Sequence, residues 1–291
     1  MTIVDAHQHF WDPSRSEYPW MGAEHAAIRR RFGPDDLLPL LRRRDVHRTL
    51  LVQTRSSLEE SREFLALAAD TEFIAGVVAW VDLTRPDVEA VLDDLAQSPG
   101  GDRLVGIRHQ VQDEEDPWWL LREDVQHGLG EVGSAGLAFD LLVGPAELPA
   151  ATAAARFQPE TRFVVDHCGN PPIRAGGDEQ WDRWMTSIAA LPNVYCKLSG
   201  LVTEADWHNW TPADLRPYVA RVLEWFGSER LMIGSDWPVC LLAGSYGEVF
   251  DAYVATLDGA SDETLRRVLG QNAVDCYGLD VGLHENSGDR E

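Results

Sequence analysis

The sequence alternates short apolar runs with helical stretches eight times, and this alternation constrains the fold more than any other feature. Each run is rich in β-branched or aliphatic residues and is followed by turn residues. Strands that alternate with helices indicate βαβ units and a parallel sheet. Eight units in 291 residues favour a single-domain α/β protein, the (β/α)8 TIM barrel, over an open sheet. The barrel is expected to span 1–280, followed by a polar tail over 281–291. The runs cover residues 2–9, 46–53, 73–82, 104–111, 138–144, 162–169, 193–200 and 231–238.

The stretches between the runs carry capping residues typical of helices. Ser57 and Glu60 have the spacing of a capping box, and Thr84 with Pro86 in the first turn predicts the start of the next helix. No GxGxxG or GxxxxGK[ST] motif follows the first run, which argues against a nucleotide-binding sheet. Further helices are predicted over 144–157, 178–191, 211–227 and 261–270.

Polar and titratable residues cluster where the apolar runs end, which is the end of a barrel where active sites lie. The first run ends with His7 and His9, the sixth with His167 and the eighth with Asp236. Because strand side chains alternate faces, Asp5, His7 and His9 are expected to share one face. Two histidines one residue apart are commonly unrelated neighbours beside a turn. Because titratable residues occur at the ends of several runs, we favour a shared site over unrelated neighbours.

The same alternation sorts the side chains of the fourth run. Val105 and Ile107 are expected to face the helices, which leaves Arg108 and Gln110 pointing into the barrel. His109 then falls on the helix side unless a β-bulge reverses it.

In the seventh run, Lys197 and Ser199 are expected to face inward. Arg108 and Lys197 could each contact substrate or form a salt bridge that closes the top of the barrel. The sequence leaves these two roles open.

The motifs at the strand ends together resemble the amidohydrolase superfamily. More closely, the chain is similar to its sugar-lactonase-like branch, which includes L-fuconolactonase, L-rhamnonolactonase and 2-pyrone-4,6-dicarboxylate lactonase. The resemblance implies a cytoplasmic (β/α)8 hydrolase that opens the ester ring of a sugar lactone in carbohydrate catabolism. The motifs are DAHQHFW, GIRHQVQDE, VVDHCG, CKLSGLVTEADW and GSDWPV, and the likeness extends from residue 3 to about 279.

The resemblance also implies roles for particular residues. His7, His9, His167 and Asp236 would be catalytic, and His7, His9 and Asp236 would be the ligands of one divalent metal such as zinc. The fourth run offers no Lys or Glu as a bridging ligand and the fifth ends without a histidine, so a binuclear centre is not expected. Three N/O ligands with an open position are typical of catalytic zinc. Some lactonases of this branch are thought to work without metal, so the requirement stays open.

Lactone hydrolysis needs an activated water, a polarised carbonyl and a proton for the leaving alkoxide. Asp236 is the predicted general base and, once protonated, the donor to the leaving oxygen. Arg108, Lys197 or His167 would supply positive charge where the oxyanion develops. The alternative for Asp236 is a cap that accepts from a backbone N–H at the strand end.

Aromatic residues crowd the loops after the strands, and aromatic faces beside hydrogen-bonding groups suit a sugar. Any one of these tryptophans could instead only pack a loop. A dicarboxylate substrate would need several inward arginines, and only Arg108 and Arg55 are available, so a neutral aldonolactone is preferred. The residues predicted to bind substrate are Arg108, His109, Lys197, Trp118 and Trp237.

Two other functions remain open from the sequence. One is a metal-dependent decarboxylase or amide hydrolase of the same superfamily, which would hold a metal tightly and lack lactonase activity. The other is a non-catalytic sugar-binding barrel, although the full set of strand-end residues argues against it.

The charge balance limits the classes of partner. Lys and Arg total 25 against 48 Asp and Glu, a formal net charge of -23. Nucleic acids and anionic membranes bind cationic surfaces, so neither is expected as a partner. No signal peptide or membrane span is predicted, and four scattered cysteines indicate reduced thiols in the cytoplasm. The expected partner is a small sugar lactone, with homo-oligomerisation left open.

Overall fold

Eight parallel strands form one sheet in the computed structural model, which describes residues 1–281. The strands pair with their neighbours in chain order, and helices lie between them. Each predicted run contains one strand, which confirms the (β/α)8 barrel. Apart from residue 281, the predicted tail over 281–291 lies outside the described residues. The strands are β1 (Val4–Gln8), β2 (Arg48–Val52), β3 (Ile74–Ala79), β4 (Leu104–His109), β5 (Ala138–Leu141), β6 (Arg162–Val165), β7 (Val194–Leu198) and β8 (Leu231–Ile233).

The barrel closes between its first and last strands at the end where the predicted site lies. A parallel bridge joins Gln8 to Trp237, just beyond β8. The His9 amide donates to the Trp237 carbonyl at 2.7 Å, and the Asp236 amide donates to the His7 carbonyl at 2.8 Å. Closure therefore brings His7, His9 and Asp236 side by side.

Helices surround the sheet and connect its strands. None of those in the described part of the chain has both the length and the apolar character needed to cross a membrane. The α-helices are α1 (Pro34–Arg42), α2 (Leu58–Ala69), α3 (Val88–Gln97), α4 (Glu123–Ser134), α5 (Leu148–Phe157), α6 (Glu179–Ala189), α7 (Leu201–Glu204), α8 (Pro212–Phe226), α9 (Tyr246–Thr256), α10 (Asp262–Arg266) and α11 (Asn272–Tyr277).

Ser57 caps α2 as predicted, since its hydroxyl accepts from the Glu60 amide at 3.3 Å. Glu60 does not complete the capping box. Its buried carboxylate instead accepts from the amides of Thr54 and Arg55, at 2.8 and 3.0 Å. The helix thereby fixes the loop that leaves the carboxyl end of β2.

The predicted start of α3 at Thr84 is wrong, because the helix begins at Val88. The amide and hydroxyl of Thr84 both donate to the Asp82 carboxylate, at 3.0 and 2.6 Å. This local turn holds the backbone out of helical geometry for several residues.

Apolar side chains form two clusters. The larger lies between the strands and the helices, and the smaller includes interior-facing residues such as Val52, Val78 and Ala138. Tyr277 of α11 joins the smaller cluster and donates its hydroxyl to the buried Asp140 carboxylate at 2.8 Å. The barrel interior is therefore packed, and it becomes polar only toward the site.

β1 departs from simple alternation. Its pairing with β2 shifts register after Asp5. Ala6 consequently packs in the inner cluster, and Asp5 contacts Tyr246 of α9 at 3.2 Å. The prediction that Asp5 shares a face with His7 and His9 is wrong, because the irregularity returns only the histidines to the interior.

β4 shows a similar irregularity, since its pairing with β3 skips Val105. Val105 packs in the inner cluster, which corrects the prediction that it faces the helices. Ile107 lies in the outer cluster and Arg108 in the interior, as predicted.

Candidate active site

Three side chains from the closing strands converge at the predicted end of the barrel. The Nε2 atoms of His7 and His9 are 3.1 Å apart. Oδ1 of Asp236 lies 3.3 Å from the His9 nitrogen and 3.8 Å from that of His7. All three side chains are nearly or fully buried. We call these residues the strand-end cluster.

A hydrogen bond fixes the tautomer of His9, whereas donors approach both ring nitrogens of His7, with Lys197 3.3 Å from Nδ1. Nδ1 of His9 lies 2.8 Å from the Val52 carbonyl, which can only accept, so His9 carries its proton there. Arg108 can only donate and lies 3.2 Å from Nε2 of His7, while the Asp166 carboxylate is 3.3 Å from Nδ1. Burial also lowers the pKa of His7 well below its ordinary value, so this ring is neutral. The Nε2 lone pair of His9 therefore faces the Asp236 carboxylate, and Nε2 of His7 lies within reach of both Arg108 and Asp236.

Such a convergence of acceptors fits a cation. Three N/O donors 3.1–3.8 Å apart match the spacing of about 3.3 Å expected between ligands of a tetrahedral zinc ion. The bond from His9 to a backbone carbonyl is the kind of outer contact that orients metal-bound histidines. His7, Asp166 and His167 form a second converging set. Asp166 is, however, already paired with Arg108 and Lys197, so the strand-end cluster is the better candidate.

Below the cluster lies a fully buried network of charges. Lys197 donates to Asp140 and lies 3.0 Å from Asp166, whose other oxygen accepts from Arg108 at 2.9 Å. Burial alone would lower the pKa of Lys197, but the two carboxylates raise it above its ordinary value. Lys197 therefore stays charged. Its side chain faces inward, as predicted. It is wholly buried in ion pairs, however, so it does not reach the cavity, where the predicted contact with substrate would be made.

His167 occupies a strained backbone position next to the cluster. Its φ is 52°, and Asp236 has a φ of 56°, both in the left-handed region that non-glycine residues seldom adopt. Nδ1 of His167 lies 2.9 Å from the Ser199 hydroxyl. Gly200 makes room for the ring, because a Cβ on Gly200 would lie 2.5 Å from that nitrogen. Burial lowers the pKa of His167, which keeps the ring neutral.

A cavity of about 280 Å³ opens above these groups. Of the predicted catalytic residues, His9, His167 and Asp236 line it, while His7 lies just beneath. Arg108 and Gln110 also line it, as their predicted inward orientation requires. The other lining residues are Trp20, His25, Thr54, Gln112, Asp113, Leu142, Asn170, Thr203, Glu204, Trp207, Val239 and Leu242.

Two tryptophans predicted to bind substrate lie away from this cavity. Trp118 is 53% exposed at the surface, in a turn before α4. Trp237 is 1% exposed and packs edge-on against Phe10 and Phe32, with ring centroids 6.0 and 5.2 Å away. Neither position agrees with the predicted role in binding substrate. Trp237 instead belongs to the packing that closes the barrel.

His109 also lies outside the cavity lining, contrary to its predicted role in binding. Its ring stacks on Trp119 with centroids 4.3 Å apart, accepts from Trp80 Nε1 at 3.0 Å and lies 2.7 Å from Glu114. Simple strand alternation placed His109 on the helix side, and the structure follows that alternation.

Most of the cavity wall could not be predicted from the sequence. On one side, Trp20 and His25 pack edge-to-face at 5.6 Å, and His25 lies 6.4 Å from Trp207. On the other side, Asn170 donates to Gln112 at 2.9 Å. The tryptophans were visible as aromatic residues in loops. Nothing in a strand or helix pattern indicates which loop residues turn inward.

A negative side chain, Glu204, was also missed. It ends α7, a short helix that begins three residues after β7, so its closeness to a strand end was a usable signal. Burial, with the nearby Asp236 charge, raises its pKa to about 6.

Comparisons with known proteins agree with this geometry. The sequence model of the amidohydrolase family matches residues 4–279. An L-fucono-1,5-lactonase from Burkholderia ambifaria is 43% identical over 284 residues, covering 95% of this chain and 96% of that protein. Another from Burkholderia multivorans is 38% identical over 287 residues, with the same coverage. A crystal structure of a Burkholderia multivorans amidohydrolase with bound zinc superposes with a TM-score of 0.91 at 35% identity, covering 96% of this chain and 100% of that one.

Proposed function

Since the chain belongs to the amidohydrolase family, we propose that it hydrolyses the ester ring of a sugar lactone, with L-fucono-1,5-lactone as the first substrate to test. The observation that carries this proposal is the strand-end cluster facing a cavity lined by aromatic rings and amides. The cavity suits a single sugar ring, because aromatic faces pack on C–H groups while amides bind hydroxyls. Two relatives that align over nearly the whole chain are L-fucono-1,5-lactonases.

In the proposed reaction, Asp236 removes a proton from the attacking water. Its carboxylate belongs to the strand-end cluster and lines the cavity, 3.3 Å from Nε2 of His9. The water oxygen bonds to the carbonyl carbon, and the C–O bond of the ring breaks. The proton held by Asp236 then passes to the ring oxygen as it leaves, so a single carboxylate serves both steps.

Arg108 and His167 are placed to stabilise the developing oxyanion. Arg108 lines the cavity while Asp166 and the Gln53 carbonyl hold its guanidinium. When the Ser199 hydroxyl donates to Nδ1 of His167, the ring carries its proton on Nε2 and donates it to the carbonyl oxygen. Preorganised donors of this kind lower the barrier without reorganising during the reaction.

We propose zinc as the ion that the strand-end cluster would hold, through both Nε2 atoms and the Asp236 carboxylate, replacing Arg108 as the partner of the His7 nitrogen. When bound, it would supply Lewis acidity to the ester carbonyl and lower the pKa of the attacking water. Asp236 still orients that water and carries its proton, because a carboxylate has a second oxygen free for this role.

The test is acid release from a panel of lactones by the purified protein, as prepared and after exhaustive chelation. The panel contains L-fucono-, L-rhamnono-, L-galactono- and D-galactono-lactones, and metal content is measured on both samples. We expect rapid acid release from a neutral aldonolactone, lost on chelation and restored by zinc. Activity that survives chelation would remove the metal from the proposal and leave Asp236 and the histidines to act alone. No acid release from any lactone would refute the lactonase proposal.

A further inference from the structure

The cavity carries more negative than positive charge. Its lining contains the carboxylates of Asp113, Glu204 and Asp236 and one guanidinium, that of Arg108. The positive charge of Arg108 is already balanced by Asp166 at 2.9 Å. The protein side chains that line the cavity therefore carry a net negative charge, and a zinc ion held by the strand-end cluster would offset the charge of Asp236 but would leave Glu204 unpaired.

Glu204 differs from the other two lining carboxylates. Asp236 contacts the histidines, and Asp113 accepts from Gln110 at 3.3 Å. Within residues 1–281, Glu204 has neither a hydrogen-bond donor nor a cation as a partner. It is partly buried on the same cavity, where Thr203 and Trp207 flank it. A shielded carboxylate without a partner has its full capacity to accept hydrogen bonds from a ligand.

We propose that Glu204 sets the charge selectivity of the site: its carboxylate accepts hydrogen bonds from hydroxyls of a neutral sugar lactone and repels lactones that carry an acidic group. This inference rests on the proposed lactonase function and deepens it. Neutral lactones are bound through charge-assisted hydrogen bonds, which are stronger than neutral ones. An acidic lactone brings a like charge into a shielded cavity, where repulsion is weakly screened.

The same charge also acts on the product. Ring opening converts a neutral lactone into an aldonate, whose carboxyl group loses its proton to solvent at neutral pH. The reacting molecule thus gains one negative charge while it lies in a cavity that already holds Glu204 and Asp236. Repulsion between these charges favours product release. Burial raises the pKa of Glu204 to about 6, so the carboxylate remains mostly ionised at pH 7.5.

The experiment compares wild type with Glu204→Gln, which keeps the size and an acceptor oxygen but removes the charge. The control is Glu72→Gln, which removes the same charge from a side chain that is 89% exposed and distant from the cavity lining. Values of kcat/KM are measured at pH 7.5 for the best neutral aldonolactone and for D-glucaro-1,4-lactone, which carries a carboxylate. The Kd of the aldonate product is measured by calorimetry, and metal content is checked in every sample.

We expect Glu204→Gln to raise the ratio of acidic to neutral kcat/KM about tenfold and to tighten aldonate binding by a similar factor. Glu72→Gln should change neither. An unchanged ratio and an unchanged aldonate Kd in Glu204→Gln would overturn the inference. So would a large loss of kcat on the neutral lactone at a constant ratio, since that result would make Glu204 a proton donor instead. Glu204→Ser provides the same comparison if the Gln variant folds poorly.

Failure of the proposed function would look different. A wild-type protein that hydrolyses no lactone refutes the lactonase proposal, while the aldonate Kd still reports whether the Glu204 charge repels an anionic ligand.

Discussion

The backbone of Asp236 provides a clean way to test its chemical role. Its φ of 56° would strain most replacements, but Asn is among the residues that best tolerate this region. Asp236→Asn removes the base while keeping size and backbone geometry. We expect kcat for the preferred lactone to fall about 1000-fold, within the range of general acid–base effects. Initial rates measure the loss, and circular dichroism with thermal melts confirms the fold. A loss below tenfold would mean that Asp236 does not transfer the proton.

Gly200 allows a test of the position of His167, because Gly200 has no Cβ that would contact the ring. A Cβ there would lie 2.5 Å from Nδ1 of His167, so Gly200→Ala must displace the ring from Ser199. The φ of 65° adds backbone strain of about 1 kcal/mol. We expect kcat to fall at least about tenfold, since one oxyanion donor is worth about 100-fold when removed outright.

Gly136→Ala is the matched control for Gly200→Ala. Its φ of 74° imposes the same kind of strain, yet a Cβ there meets nothing within 4 Å. Both variants should lose stability in urea unfolding through the shared strain, Gly200→Ala by about 1–3 kcal/mol more because its Cβ also displaces a buried ring, while only Gly200→Ala should lose activity. Equal activities would show that His167 does not need its observed position.

At the scale of elements, the sequence predicted every strand because apolar runs and turn residues mark strands in a parallel barrel. It did not predict the register shifts in β1 and β4. The alternation of side chains along a strand does not reveal where one residue is skipped in the pairing with the next strand. Asp5 and Val105 were therefore assigned to the wrong faces. Strand ends correctly located His9, His167 and Asp236 in one site. The loops could not be predicted, because their conformations depend on contacts between distant segments.

The segment between β1 and α1 shows this dependence. Trp11 and Phe32 pair through two backbone hydrogen bonds, of 3.2 and 2.9 Å, which close the segment into a large loop. Within it, Trp20 packs against Trp11 at 5.4 Å and against His25 at 5.6 Å, and so presents its ring to the cavity. The loop therefore supplies an aromatic wall whose position is set by its own internal packing.

Trp20→Ala should weaken substrate binding more than it slows the chemistry. Removing the ring deletes apolar contact with the sugar but leaves the strand-end cluster intact, so we expect KM to rise about fivefold to tenfold with kcat within about twofold. Steady-state kinetics on the preferred lactone measure both constants. Trp118→Ala is the control, because this exposed ring lies outside the cavity and should change neither constant. A rise in KM for Trp118→Ala alone would restore its predicted role and refute the cavity assignment.

At the scale of the whole molecule, a buried carboxylate ties the first strand to the last. Asp5 accepts from the Ser235 amide at 2.8 Å, across 230 residues of chain, and from the Tyr246 hydroxyl at 3.2 Å. These contacts lie beside the bridge that closes the barrel and positions Asp236 opposite His7. The candidate active site thus depends on a closure whose two sides are encoded at opposite ends of the sequence.

The ionisation of Asp5 should appear in the pH dependence of stability. Burial raises its pKa from 3.8 to about 6, despite the hydrogen bonds that favour its charge. Between these two values the folded protein binds a proton that the unfolded chain does not, so the Asp5 contribution to stability falls as pH rises toward 6.

Asp5→Asn removes the titrating group while keeping an acceptor for the Ser235 amide. Wild type should therefore gain about 1 kcal/mol of unfolding free energy relative to Asp5→Asn when pH falls from 7 to 5. Urea unfolding of both proteins at each pH measures this difference, in which the other titrating groups cancel. A difference that stays constant, or changes in the opposite direction, would show that Asp5 is ionised in the folded barrel throughout this range and that its hydrogen bonds outweigh its burial.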